Sequence, residues 1–152
     1  MTQHYYAVVA SGANFDDALK RSGESSYAGV QGYLFVPDSY FELLHVLSTI
    51  VQSVTGGNIW LGFTDKAVEG KYLIAAGPNA GTDASDVVAW QLGEQSGGTN
   101  DNCVMYVAGY TWYADMPCSS TSAYVIEYEC PFGQRFNDQG TACIGTLRTM
   151  YQ

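Results

Sequence analysis

Four cysteines, Cys103, Cys118, Cys130 and Cys143, all fall in the last third of a 152-residue chain. None stands in a C-x-x-C pair, the usual presentation of zinc ligands, so a cysteine zinc site is not expected. Four cysteines allow three pairings. An even number in a lysine-poor chain with 17 glycines and 12 tyrosines reads as two disulfides formed in an oxidising compartment. Four reduced, buried cysteines are the alternative. Nearest-neighbour closure would give Cys103–Cys118 and Cys130–Cys143. Each bridge would close a loop of about 15 residues and contribute roughly 3 kcal/mol in the chain-entropy model.

The length suits one domain, and hydrophobic residues at 47% are enough to bury a sizeable core. Charged residues reach only 14%, against about 25% in an ordinary soluble domain. Disorder, coiled coil and collagen-like repeats are thereby excluded. Fifteen acids against six basic residues give a net charge of −9. A nucleic-acid partner needs a basic face and is not expected. The same balance suits a cation site or solubility outside the cell. No apolar run reaches the roughly 18 residues of a membrane span; Phe41 to Val54 is interrupted by Glu42, His45, Ser48, Thr49, Gln52 and Ser53. Met1 to Tyr6 has neither a basic n-region nor an apolar h-region, so no signal peptide is expected in this chain. With the cysteines, this points to a secreted or cell-surface domain in mature form.

Tyr5 to Val9 is β-branched and aromatic and predicts a first strand. Asn14 precedes Phe15-Asp16-Asp17-Ala18-Leu19, an N-cap with acids in the first turn, and Gly23 predicts the end of that helix. Ser25 to Gln31 reads as a loop, and Gly32 to Val36 as a short strand stopped by Pro37. Ser39-Tyr40-Phe41-Glu42 is a capping box. Phe41, Leu44, Leu47, Val51 and Val54 follow as one apolar stripe, closed by Gly56-Gly57. Beyond it come short strand candidates at Ile59 to Phe63, Tyr72 to Ala75, Val87 to Trp90, Val104 to Val107 and Tyr124 to Tyr128. Glycine-, asparagine- and aspartate-rich loops separate them. Two helices followed by many short strands predict an α+β fold.

Several motifs in order carry a family resemblance. Ile59-Trp60-Leu61-Gly62-Phe63 resembles the WIGL motif of C-type lectin-like domains. Trp90-Gln91-Leu92-Gly93-Glu94 resembles the segment leading to the Glu of that family's EPN calcium motif. Asp101-Asn102-Cys103-Val104-Met105-Tyr106 resembles its acid-Cys strand, Trp112-Tyr113-Ala114-Asp115 with Cys118 its WND-x-x-C segment, and Tyr124 to Cys130 its closing strand. The resemblance covers about Tyr5 to Cys130. It implies two helices flanking antiparallel β-sheets, with a long loop region between about Lys71 and Cys118. Residues 1–130 are expected to form the domain, and 131–152 a short disulfide-closed C-terminal extension. The resemblance implies Cys103–Cys118. The family's second bridge joins the first helix to the last strand, but Ser22 stands near the helix cysteine's place, which leaves Cys130 for Cys143.

The resemblance also implies a calcium site. A hard cation takes six to eight oxygens, several from carboxylates. Asp65, Glu69, Glu94, Asp101, Asn102 and Asp115 are the candidate metal ligands. Glu94 and Asp115 match positions that in lectin members hold both ion and sugar, Asp101 a position shared between neighbouring ions, and Asp65 to Glu69 an auxiliary acid pair. Gln95 and Ser96 replace the Pro and Asn of EPN, and Ala114 stands where an Asn ligand is expected. The sugar-binding site is therefore degenerate and its calcium affinity weak. The candidate ligand-contacting residues are Glu94, Gln95, Ser96, Asp101, Tyr113 and Asp115, with Tyr110 and Tyr113 expected to be exposed beside the loops. Trp60, Trp90 and Trp112 are expected in the core and His45 on the surface.

No Ser–His–Asp grouping or paired acid marks an active site, so no enzyme is expected. The leading expectation is an extracellular carbohydrate-recognition module, assisted by Ca²⁺, with a glycan as partner. The other is a structural or adhesive module that binds an extracellular protein or its own copies without sugar. Ice binding, which some members perform, has no motif here.

Overall fold

The structure is a computed structural model that describes residues 4–50, 57–85, 100–108 and 112–145. It opens with strand β1 (His4–Ala13) and helix α1 (Phe15–Glu24). A short hairpin of β2 (Ser26–Tyr27) and β3 (Val30–Gln31) leads to β4 (Tyr33–Leu34) and helix α2 (Tyr40–Thr49). Strands β5 (Ile59–Thr64), β6 (Leu73–Ile74), β7 (Cys103–Val107), β8 (Trp112–Met116) and β9 (Ser122–Glu129) follow, and β10 (Gln134–Phe136) pairs with β11 (Cys143–Gly145).

A seven-stranded sheet runs β1-β9-β5-β7-β8, with β4 also on β9 and β6 also on β5. Most pairs are antiparallel, as expected, but β5 and β9 run parallel, Ile59 opposite Ala123 and Trp60 opposite Tyr124. Side-chain alternation along the strands builds two cores, one on each face. Ile59, Leu61 and Phe63 of β5 pack with Val104, Val125, Leu43 and Val46 on the α2 side. Trp60 of the same strand turns the other way, to Phe15, Ala18, Met105, Tyr124 and Ile126 on the α1 side. Its indole N–H donates to the Ala13 carbonyl at 2.9 Å, and its ring meets Phe15 edge-on at 5.6 Å. The helices thus flank the sheet because adjacent residues of β5 each need cover.

Both N-caps form as their sequences require, but the Glu42 carboxylate accepts from the Asp38 amide at 2.6 Å in place of the Ser39 N–H of a capping box. Asn14 Oδ1 accepts from the Asp17 amide at 2.8 Å, and Ser39 Oγ from the Glu42 amide at 3.1 Å. Helix α1 runs through Gly23 to Glu24 and ends at Ser25, whose N–H donates to the Ser22 carbonyl. The expected loop at Ser25 to Gln31 contains a hairpin, turned by Ala28 at φ 52° and Gly29 at φ 79°. The apolar stripe of α2 is corrected. Leu43 and Val46 are its buried residues, while Phe41 is 82% and Leu44 41% exposed. Leu43, Val46, Leu47 and Ile50, at helical spacing, form the stripe that packs on the core, and beside it the Glu42 carboxylate accepts from Tyr6 of β1. Val51, Val54, Gly56 and the strand expected at Val87 to Trp90 lie outside the described residues.

The bridges are Cys103–Cys118 and Cys130–Cys143, with Cα separations of 5.2 and 5.7 Å. The β10–β11 pair closed by the second bridge packs against β1. Phe136 is fully buried, with Tyr5 edge-on at 4.6 Å. Among the described residues no helix is long and apolar enough to cross a membrane.

Candidate functional site

Strand register assembles the acid loops. Thr64 at the end of β5 pairs with Cys103 at the start of β7, so Asp65 and Asn102 meet at one edge of the sheet. The Asp65 amide donates to the Asn102 carbonyl at 3.1 Å, and Thr64 Oγ1 to the same carbonyl at 2.6 Å. Asp115 on β8 lies opposite Val104. The Gly70 amide donates to Asp65 Oδ2 at 2.9 Å, closing the Asp65–Glu69 turn around that carboxylate.

Asp65 is 1% exposed, and its second oxygen, Oδ1, is buried with no hydrogen-bond partner. A buried carboxylate oxygen normally has a partner, because desolvating it unpaired is costly. Around it the charge is negative. The Glu69 carboxyl is raised above its ordinary range by desolvation, then by the charges of Asp65, Asp115 and Asp101. Lys66 turns away and pairs with Asp16 at 2.6 Å. Asp115 is 9% exposed and accepts from the Tyr72 hydroxyl at 3.2 Å. Burial, then the charge of Asp115, holds Tyr72 above its usual range. Asp65, Glu69, Asp101, Asn102 and Asp115 are therefore neighbours, and their oxygen chemistry fits a hard cation. They do not yet converge: no three carboxylates here have ligand oxygens all within 4.8 Å of one another among the described residues.

Other expected site residues fall differently. Glu94, Gln95, Ser96, Trp90 and Tyr110 lie outside the described residues, as does the side chain of Trp112. Tyr113 is corrected: it is 2% exposed and packs near Phe63 at 6.4 Å between ring centroids. Alternation on β8 explains this, since Tyr113 pairs with Tyr106 on the strand that forms the core. His45 is exposed, as expected.

A second polar cluster escaped the sequence. Antiparallel pairing of β1 and β9 sets His4 opposite Glu129 and Tyr6 opposite Glu127. Alternate residues share a face, so these four line up, and α2 lays Glu42 across them. His4 Nδ1 is 2.6 Å from Glu127 Oε1 and 3.4 Å from Glu42 Oε1, and its Nε2 is 3.2 Å from Glu129 Oε2. Tyr6 donates to Glu42 at 2.6 Å, Tyr33 to Glu129 at 2.7 Å, the Val36 amide to Glu127 at 3.2 Å and the Asp38 amide to Glu42 at 2.6 Å. The hydrogen bonds to Glu127, Glu129 and Glu42 push His4 up to about 12. Burial pushes Glu127 up to about 7, against the opposing pull of His4. Glu42, though burial raises it, is held below its usual range by His4 and Tyr6, and His4 likewise lowers Glu129. His4 sits 123 residues from Glu127, so no local motif announces the pairing.

Known proteins share this fold and part of this sequence. C-type lectin domain family 3 member A of Mus musculus is 30% identical over 102 residues, 66% of this chain and 50% of that protein. Echinoidin of Heliocidaris crassispina is 35% identical over 86 residues, 54% of each chain. The chain folds as a C-type lectin-like domain. The domain spans about half the length of the curated relatives it matches, and no family model matches it. Among solved structures, the C-type lectin CEL-I from Cucumaria echinata superposes with a TM-score of 0.69 at 17% identity, over 84% of this chain and 91% of that one. A calcium-independent type II antifreeze protein superposes at 0.67 with 18% identity, over 86% and 90%. The fold alone therefore does not decide calcium dependence, and the choice falls to the loop residues.

Proposed function

We propose that the domain is an extracellular carbohydrate-recognition module whose sugar binding is assisted by Ca²⁺, and that it binds without catalysing a reaction. The observation that carries this reading is the buried Asp65 carboxylate, whose Oδ1 has no hydrogen-bond partner, beside Glu69, Asp101 and Asp115. Asp65, Glu69, Asp101 and Asn102 would hold an auxiliary ion, and Glu94, Asp101 and Asp115 the sugar-linked one. A bound Ca²⁺ supplies coordination sites for vicinal sugar hydroxyls and orders the loops. The chain's own carboxylates accept hydrogen bonds from those hydroxyls, a charge-assisted contact stronger than a neutral one. Gln95 and Ser96 stand in the sequence where the resembling motif has Pro and Asn, so a modest affinity is expected. An extracellular place is supported by the two disulfides, which persist in oxidising compartments.

The test is thermal unfolding with millimolar Ca²⁺ and with chelator, under non-reducing conditions. A ligand that binds only the folded state stabilises it by about 2.7 kcal/mol at one hundred times Kd, so the melting temperature rises by several degrees. An unchanged melting temperature sinks the calcium mechanism.

A second reading has its own support. Tyr40, Phe41 and Leu44 of α2 are exposed at 48, 82 and 41%, an apolar surface suited to a protein contact. An adhesive module would show concentration-dependent assembly in sedimentation experiments, unaffected by chelator.

A further inference from the structure

The His4 cluster lies on different residues from the calcium ligands and stands independently of that reading. Its charges are unbalanced. Three glutamates, Glu42, Glu127 and Glu129, surround one imidazole within 3.4 Å. Among the described residues no lysine or arginine pairs with them; Lys66 pairs with Asp16, Lys20 with Glu24 and Arg135 with Asp138. The side chains of His4 and Glu127 are 8 and 1% exposed, so water screens little of this excess. The ligand atoms of His4, Glu42 and Glu127 all lie within 4.8 Å of one another, the one such group of three among the described residues.

We propose that His4 Nδ1, Glu42 and Glu127 form a site for a transition-metal ion of the Zn²⁺ class, with Glu129 positioning the imidazole. An imidazole nitrogen with two carboxylates is a donor set that Zn²⁺ accepts, whereas Ca²⁺ and Mg²⁺ prefer oxygen alone. Tetrahedral zinc with ligands at about 2.0–2.1 Å sets ligand atoms roughly 3.3 Å apart. His4 Nδ1 and Glu42 Oε1 stand at 3.4 Å already. The 2.6 Å contact of Nδ1 with Glu127 widens by about 0.7 Å to reach that spacing, as the ion takes the place of the proton between them and the proton leaves to solvent.

The surrounding contacts match those that orient metal ligands. A metal-bound histidine usually has a carboxylate on its other ring nitrogen, fixing tautomer and ring plane. Here Glu129 Oε2 stands 3.2 Å from Nε2 as an ion-pair contact, and that nitrogen is buried without a well-aligned hydrogen bond. Glu129 is itself held by Tyr33, Glu42 by Tyr6 and the Asp38 amide, and Glu127 by the Val36 amide. Each ligand carboxylate thus has one oxygen or lone pair fixed and another to give. Glu42 and Glu129 remain 16 and 21% exposed, which opens a path for the ion and for a water as fourth ligand.

The experiment is a calorimetric titration of untagged, chelator-stripped protein with ZnCl₂, and separately with CaCl₂ and MgCl₂. Saturable binding of one Zn²⁺ is expected, not displaced by a large excess of Ca²⁺. Titration with CoCl₂ should give the intense visible absorption of a four-coordinate site. Glu42→Gln, which keeps the oxygen that caps Asp38, and His4→Ala should each weaken Zn²⁺ binding by about tenfold or more and remove the cobalt band. His45→Gln should leave both unchanged. No saturable zinc binding in the wild-type protein overturns the proposal, as does an affinity that Glu42→Gln leaves intact. The zinc titration is run first without calcium and the excess Ca²⁺ is added only afterwards, so the primary outcome does not depend on whether the loop site binds Ca²⁺.

Discussion

His4→Ala should destabilise the domain strongly, and Glu127→Gln should then partly rescue it. Glu127 is 1% exposed and its nearest charge partner is the His4 imidazole at 2.6 Å. Removing one member of a buried ion pair costs about 3–5 kcal/mol, because the other charge is left desolvated and alone. An escape route sets a ceiling. At pH 7.5 the carboxyl can take a proton, at about 1.4 kcal/mol for each pH unit above its unfolded value near 4.5, or about 4 kcal/mol in all. The cost should therefore fall near 3–4 kcal/mol. In the double variant the side-chain amide oxygen introduced by Glu127→Gln can still accept from the Val36 N–H, and it carries no charge. We expect the double variant to be more stable than His4→Ala by about 2 kcal/mol, an inversion that simple loss of contacts does not produce. The assay is urea unfolding at pH 7.5 in chelator, non-reducing, for the wild type, both single variants and the double. If Glu127→Gln destabilises the His4→Ala background further, the ion-pair reasoning is wrong.

Three further outcomes follow from the same structure. His4 is raised from 6.5 to about 12 in the folded state, so its contribution is full below pH 6.5 and fades as pH rises toward 12. Between pH 7.5 and 9, above the value of Glu127, unfolding free energy should fall by up to about 2 kcal/mol, and a pH series of melts should show no such fall in His4→Ala. Replacing Cys130 and Cys143 together by serine should cost about 3 kcal/mol, read as a lower urea midpoint, since their 13-residue separation tethers the segment that buries Phe136. Gly62→Ala should cost about 1–3 kcal/mol, because the new Cβ would lie 2.6 Å from Val36 Cγ2 and 3.1 Å from the Leu34 carbonyl; denaturation that leaves Gly62→Ala as stable as wild type would refute that packing.

Local order makes much of this fold legible. The Ile59–Phe63 motif, the acid-Cys strand and the two capping signals each specify structure within a few residues, and they stand in a family order. Ser22, standing where the family has a cysteine, leaves Cys143 as the partner of Cys130, and the structure pairs them. What sequence does not convey is direction across elements. The α2 stripe departs from its expected face because Leu43, Val46, Leu47 and Ile50 offer a second stripe at the same helical spacing, and packing on the sheet selects it. Tyr113 reads as a loop residue because the strand that buries it is short and adjoins the loop region. The His4 cluster is invisible in sequence for the same reason: it exists only once β1 and β9 adopt their register. The acid loops lie between these cases. Their residue types suggest an ion, while the burial of Asp65, the feature that most calls for one, needs the fold.

Calcium-dependent sugar binding is tested most directly by retention of the domain on an immobilised panel of sugars, first in millimolar Ca²⁺, then in chelator, then with Ca²⁺ restored. Asp115→Asn is run in parallel, because Asp115 is read as a ligand of both ion and sugar. Binding to at least one sugar class is expected, abolished by chelator, restored by Ca²⁺ and lost in Asp115→Asn. Binding that persists in chelator, or no retention on any sugar in saturating Ca²⁺, would contradict this expectation.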